Sequence, residues 1–256
     1  EDIISALSLN KEKKYSLVEL GAGDGTKTIH LLRALVNKDI NFEYFPVDIS
    51  QNALDGIESF FKAELPTLIV KPNHNDYFKA LENLKQDGTI KIILFLGSNI
   101  GNLIDELATE FIYQLGENLY KGDKIILGVD LKKPKEIVLP AYNDSKGITA
   151  EFNLNLLDRI NNELGANFIR NQFIHAPTYD EQVGIAKSYI KSIIKQNVTI
   201  NGIEFHFEKD ELIHTEVSRK YDDEVLKQIL SKTDIRWEHK ITDSKQLFAN
   251  YILEKN

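Results

Sequence analysis

Three glycines at alternate positions, Gly21, Gly23 and Gly25, end the apolar run Ser16-Leu17-Val18-Glu19-Leu20, and a helical pattern (Thr28-Ile29-His30-Leu31-Leu32) follows at once. Only glycine lets a backbone turn that tightly and leaves no Cβ between the main chain and a nucleotide-like ligand. The carboxylate of Glu19, just before the glycines, repels an anion and suits a cofactor that carries a positive charge or an amine. Two further carboxylates occupy comparable places. Asp48 ends the run Phe45-Pro46-Val47, where it can accept bonds from both hydroxyls of a ribose. Asp76, in Asn73-His74-Asn75-Asp76-Tyr77, can accept an adenine amino group while Tyr77 packs on the ring. Each residue also has an ordinary structural explanation. Glycine loops are often plain turns, Asp48 and Asp76 stand where helix-start residues stand, Tyr77 suits a core, and Lys27 suits a solvated helix face. Their arrival at successive strand ends favours the cofactor reading.

A fourth strand end carries Gly97-Ser98-Asn99-Ile100-Gly101-Asn102-Leu103. Two glycines and two asparagines pack poorly but hydrogen-bond well, as a ligand beside the reacting group requires. The competing reading is a helix start capped by Asn102.

The elements that must position these residues follow from periodicity. Strands are expected at 15–20, 42–47, 66–71, 90–96 and 124–130, with amphipathic helices at 27–37, 50–64, 77–86 and 104–119 between them. That alternation predicts right-handed crossovers and a parallel sheet covered on both faces, with ligands at the carboxyl ends of its strands. The character changes at Lys132-Lys133-Pro134-Lys135, a polar break. A helical stretch at 147–168 follows, with the apolar spacing Phe152, Leu156, Leu157, Ile160 and Leu164. Alternating strands come next at 188–194, 196–200, 203–207 and 211–218, with the hairpin turn Asn201-Gly202 between two of them. A helix at 222–232 and strands at 235–242 and 247–253 close the chain. Residues 132–219 therefore read as an inserted substrate-binding domain, and 1–131 with 220–256 as one α/β core.

Composition limits the partners. The 256 residues carry a formal net charge of −8 and no cysteine, which argues against a nucleic-acid backbone or an anionic membrane, excludes disulfides and thiolate metal sites, and fits a cytoplasmic monomer. No apolar run approaches the ~20 residues of a membrane span. The six histidines show no ligand spacing, so no metal site is expected, and no Ser-His-Asp or Cys-His nucleophile can be assembled. Lys11-Glu12-Lys13-Lys14 and Lys132-Lys133-Pro134-Lys135 read as solvated surface. The chain starts at Glu1 without an initiator methionine, so upstream residues are expected; it also has no methionine at all, where ordinary usage leads to roughly five, which points to methionines substituted or left out.

The glycine loop resembles motif I of the class I methyltransferases, whose cofactor, S-adenosylmethionine, has both a positive charge and an amine. Longer blocks are more selective: Phe95-Leu96-Gly97-Ser98-Asn99-Ile100-Gly101-Asn102, Asp130-Leu131-Lys132-Lys133, the stretch from Ala141-Tyr142-Asn143-Asp144 to Phe152-Asn153, and His214-Thr215-Glu216-Val217-Ser218-Arg219-Lys220-Tyr221. On these the chain, from about Leu17 onward, resembles the histidine-specific methyltransferase family, whose members include the L-histidine Nα-methyltransferase of ergothioneine biosynthesis. The resemblance implies a Rossmann-like class I sheet with an inserted α+β substrate domain. It implies S-adenosylmethionine held at Gly21, Lys27, Asp48, Asp76 and Tyr77, to which the glycine turn itself adds Gly23, and histidine held at Gly97, Asn102, Tyr142, Glu216 and Ser218. In the family the asparagine and tyrosine hold the substrate carboxylate and the Glu-x-Ser pair holds the imidazole. The implied reaction methylates the α-amino group, one to three times, with no catalytic base assigned.

The chemistry agrees with this. Tyr142 and Asn102 offer neutral donors, and Glu216 and Ser218, two apart on a strand, share a face. Without the resemblance that pair reads as an ordinary strand edge. Fungal relatives that methylate an indole-bearing amino acid keep that acceptor open, and a non-catalytic cofactor-binding module is the reading from another class. The family's tyrosine- and phenylalanine-rich N-terminal segment, which closes over the substrate and supplies a tyrosine near the amine, is not among these residues, as a truncated terminus would explain, so that part of the site is left unassigned.

Overall fold

Alternate residues of a strand leave on opposite faces, so a run that is apolar throughout needs cover on both sides. The computed structural model, which describes residues 2–85 and 88–256, provides that cover around the glycine turn. Up to residue 131 the order is α1 (Asp2–Leu7), β1 (Lys14–Leu20), α2 (Ile29–Asn37), β2 (Asn41–Asp48), α3 (Gln51–Glu64), β3 (Asn73–His74), α4 (Tyr77–Leu84), β4 (Ile90–Phe95), a 3-10 turn (Asn99–Asn102), α5 (Asp105–Glu117) and β5 (Lys124–Asp130). The expected end of α4, Gln86, lies outside the described residues. Residues 132–220 add α6 (Lys135–Val138), α7 (Ile148–Leu164), β6 (Phe173–His175), β7 (Thr178–Asp180), β8 (Ile185–Ser192), β9 (Gln196–Ile200), β10 (Ile203–Phe207) and β11 (Leu212–Arg219). The tail supplies α8 (Asp223–Leu230), β12 (Ile235–Thr242) and β13 (Phe248–Lys255).

The chain forms two compact units, 1–131 with 221–256, and 132–220. Lys220, which its sequence context places with the core, belongs to the second unit. β11 carries the chain to Arg219, and the Lys220 N–H then donates to Gly184 O at 2.7 Å.

The first unit is a seven-stranded sheet in the order β12-β13-β5-β4-β1-β2-β3. β1, β2, β3, β4 and β5 pair in parallel, whereas β13 runs antiparallel between β5 and β12. The sheet is thus mixed rather than wholly parallel. Val18, Leu20, Ile93 and Phe95 face one layer, with α4, α5 and α8 supplying Leu81, Ile112 and Leu226. Leu17, Tyr44, Ile92 and Leu94 face the other, packed on Ile4, Leu32 and Phe61 from α1, α2 and α3. Each such side chain contributes roughly 1.5–3 kcal/mol by leaving water, so the strand ends that carry the site rest on a stiff base.

The strand expected at 66–71 does not form. Pro66 offers no N–H and sits in a turn, and only an isolated bridge links Val70 to Tyr44. The sheet edge is instead β3, paired with Val47 and Asp48. α1 forms without an apolar pattern long enough to announce it, and it buries Ile4 and Leu7.

In the second unit β11, β8 and β6 form a sheet to which β7 adds through β8, and β9 and β10 form a separate hairpin. The hairpin turn takes φ +48° at Asn201 and +79° at Gly202, the two positive values that a tight two-residue turn demands. Leu157, Phe168, Phe173, Ile190 and Val198 make its core. Phe152, read as part of the apolar stripe of α7, is 76% exposed, and Leu164 is 54% exposed.

Candidate active site

The three glycines serve different needs. Gly21, at φ +73°, donates its N–H to Val47 O, and a Cβ there would lie 2.8 Å from the Tyr77 hydroxyl and 3.3 Å from Asn99 Nδ2. Gly25, also at φ +73°, would set a Cβ 2.9 Å from Phe61 Cε2. Gly23, at φ +61°, has nothing within 4 Å of that position. Packing therefore dictates the outer two, and the middle one leaves bare backbone facing a hollow. Gly21→Ala should destabilise the fold by about 1–3 kcal/mol through left-handed strain and the Tyr77 contact. Urea denaturation reads this directly, and a change of only a few tenths would contradict the packing described.

Asp48 closes β2 and Asp76 precedes α4, and with Gly21, Gly23, Tyr77 and Asn102 they line one hollow of about 540 Å³. The structural explanations hold as well. Asp48 Oδ1 accepts the Ser50 N–H at 2.9 Å, Ser50 caps α3, and Asp76 Oδ1 caps α4 by accepting the Lys79 N–H at 3.0 Å. Each bond uses one carboxylate oxygen, and among the described residues neither second oxygen has a protein donor. The Tyr77 ring stands edge-on to Phe95 and Phe111, and burial, then the charge of Asp48, push its phenol pKa up.

Lys27 and Gly97 line a second hollow of about 190 Å³ with Glu19, Gly21, Gly23 and Asn99. The two hollows meet along the glycine turn. Gly97 and Ser98 both adopt left-handed backbone, at φ +74° and +63°. The Ser98 hydroxyl accepts the Asp130 N–H at 3.0 Å, which holds that conformation in place. Asn102 does not cap α5; Ile104 occupies that position without a side-chain bond.

Glu19 is buried and accepts hydrogen bonds from the Thr28 hydroxyl at 2.5 Å and from the Tyr44 hydroxyl. Burial raises its pKa from 4.5 to about 7, against the two bonds, which lower it. Because the folded value stands above the unfolded one, the bound proton stabilises the fold fully below pH 4.5, and that contribution is lost as pH rises through about 7. Relative to Glu19→Gln, the cofactor-free wild type should lose about 2–3 kcal/mol between pH ~5 and ~8. Parallel stability curves for the two proteins over that range would contradict the burial argument.

In the second unit, Tyr142 and Ser218 meet at a residue that sequence reasoning missed. The buried Lys220 Nζ donates to the Tyr142 hydroxyl at 2.7 Å and to Ser218 Oγ at 2.9 Å. The only signal was its place in Glu216-Val217-Ser218-Arg219-Lys220, where alternate residues share a face. Glu216 Oε2 accepts the Ser188 hydroxyl at 3.3 Å from the paired strand. It lines a separate hollow of about 260 Å³ with Phe152, Asn153, Arg159 and Thr215, and neither Tyr142 nor Ser218 is among those walls. Phe152, whose spacing matches a core stripe, is instead exposed and lines this hollow with Glu216. Among the described residues no cluster of three or more His, Cys, Asp or Glu side chains could hold a metal ion, and no helix is long and apolar enough to cross a membrane.

A family model described as histidine-specific methyltransferase, SAM-dependent, matches residues 1–255. The chain is 31% identical to the histidine N-alpha-methyltransferase of Mycolicibacterium smegmatis over 230 residues, covering 89% of this chain and 71% of that protein. It is 30% identical to the histidine N-alpha-methyltransferase of Mycobacterium tuberculosis, covering 80% of this chain and 64% of the relative, so it spans about two thirds of these proteins. An S-adenosylmethionine-dependent methyltransferase from Clostridium acetobutylicum superposes with a TM-score of 0.53 at 14% identity, over 99% of this chain and 87% of that one, a likeness of fold alone.

Proposed function

Since the chain belongs to the histidine-specific, SAM-dependent methyltransferase family, we propose that it methylates the α-amino group of L-histidine, in one to three rounds. The observation that carries this reading is the acid-lined hollow at the strand ends, where Asp48 and Asp76 flank the bare backbone of Gly23. Such a lining repels phosphate and suits an uncharged ribose and adenine beside a cationic sulfur. In this reading Asp48 accepts the ribose hydroxyls, Asp76 accepts the adenine amino group, Tyr77 flanks the ring, and Gly21, Gly23 and Lys27 border the amino-acid part of the cofactor. When bound, the cofactor supplies a methyl group already activated on positively charged sulfur.

The protein's task is then alignment. Asn102 and Tyr142 donate to the substrate carboxylate, Gly97 leaves room beside it, Glu216 accepts an imidazole N–H, and Ser218 binds the other ring nitrogen. The α-ammonium of free histidine must lose a proton before it attacks, no residue is assigned as the base for that step, and the protein's contribution is alignment of the neutral amine with the methyl group. The net charge of −8 supports a free amino acid as partner rather than nucleic acid or an anionic membrane, and the same reading takes the enzyme as a cytoplasmic monomer. A panel of amino acids offered with labelled methyl donor tests the acceptor. Label should enter histidine ahead of tryptophan, and the reverse order would move the assignment to an indole substrate.

A further inference from the structure

Tyr142 is clamped at both ends. Its carbonyl accepts from His175 Nε2 at 2.8 Å, and its hydroxyl accepts from Lys220 Nζ, which also stands 5.0 Å from the centre of its ring. Lys220 is itself built in, at 3% exposure. Its main-chain N–H donates to Gly184 O, and a Cβ on Gly184 would lie 3.0 Å from Lys220 O and 2.6 Å from Lys132 Cε. The preceding Arg219 anchors the other side of the strand by donating to Val183 O. A lysine ammonium only donates hydrogen bonds. Each hydroxyl that accepts from it must therefore aim its own proton elsewhere, and among the described residues neither the Tyr142 nor the Ser218 hydroxyl donates to another protein atom.

We propose that Lys220 sets the hydrogen-bond polarity of the substrate site. By donating to Tyr142 and Ser218 together, it turns both hydroxyls into outward donors and so selects a side chain with an acceptor nitrogen. This rests on the reading of Tyr142 and Ser218 as histidine contacts. The Tyr142 proton meets the substrate carboxylate, which only accepts. The Ser218 proton meets the unprotonated ring nitrogen, and Glu216, on the same strand face, accepts the N–H of the other. One neutral imidazole tautomer satisfies both. An indole has an N–H but no acceptor nitrogen, which leaves the buried Ser218 donor unpaired. Lys220 is thus a positioning residue that acts through its two neighbours.

The test compares histidine with 3-(pyrrol-2-yl)alanine, which keeps a ring N–H but has carbon in place of the acceptor nitrogen. Wild type should prefer histidine by about ten- to hundred-fold in kcat/KM. Lys220→Met should erase about tenfold or more of that preference, chiefly through KM, with cofactor affinity unchanged in a calorimetric titration. Lys220→Arg, still a pure donor, should keep the preference, whereas Lys220→Gln, whose amide both donates and accepts, should lose it. Should Lys220→Met fail to fold, the Arg and Gln variants decide. Equal losses for both substrates, with the preference intact, would make Lys220 merely structural and overturn the proposal. Wild type that leaves histidine unmethylated would instead defeat the histidine reading itself, before any variant is compared.

Discussion

Asp48→Ala should weaken S-adenosylmethionine binding by about two orders of magnitude or more while the protein stays folded. A carboxylate that accepts two ribose hydroxyls makes charge-assisted bonds of about 1.5–3 kcal/mol each, and tenfold in affinity is about 1.4 kcal/mol. The position also has a local duty, because Asp48 Oδ1 accepts the Ser50 N–H at the start of α3. Asp48→Asn separates the two roles. The amide oxygen can still take the Ser50 N–H, but the charge and the second acceptor are gone. Both variants should therefore lose cofactor affinity, and only Asp48→Ala should also lose some stability at the α3 start. Calorimetric titration beside a urea curve checks both parts. Wild-type affinity in Asp48→Asn would remove Asp48 from the cofactor site.

Glu216→Ala should lower kcat/KM for histidine by about a hundredfold, chiefly through KM, and leave cofactor affinity largely intact. The estimate is the cost of one hydrogen bond to a charged acceptor plus the unpaired imidazole N–H left behind. Ser188, which donates to Glu216 Oε2, loses its partner in this variant, but its hydroxyl can turn to other acceptors. Steady-state kinetics with histidine varied at saturating methyl donor measures the effect. Unchanged histidine turnover would show that the imidazole is held elsewhere.

Much of the fold was legible because it rests on local signals. Lys124–Asp130, Gln196–Ile200, Ile203–Phe207 and Ile235–Thr242 form strands with the bounds their apolar patterns define. The Asn201-Gly202 turn announced its hairpin through residues that tolerate positive φ. Gly21, Asp48 and Asp76 could be tied together because strand ends of an α/β sheet converge on one rim, and they do share a hollow.

What stayed hidden depends on partners far along the chain. Nothing local to Phe248–Lys255 says that it runs antiparallel between β5 and β12. The segment around Pro66 is apolar enough for a strand, yet it meets the sheet only at its edge and without one N–H. Phe152 carries the spacing of a core residue but lies on the open side of α7, beside Glu216. Lys220 reads as a surface lysine until Tyr142, nearly eighty residues earlier, is brought to its Nζ.

The most direct test is mass spectrometry of L-histidine incubated with the protein and S-adenosylmethionine, with fragmentation to locate each added methyl group. Successive methyl increments confined to the α-nitrogen are the predicted result. Methylation of a ring nitrogen, or unaltered histidine in a protein that binds the cofactor, would contradict the account.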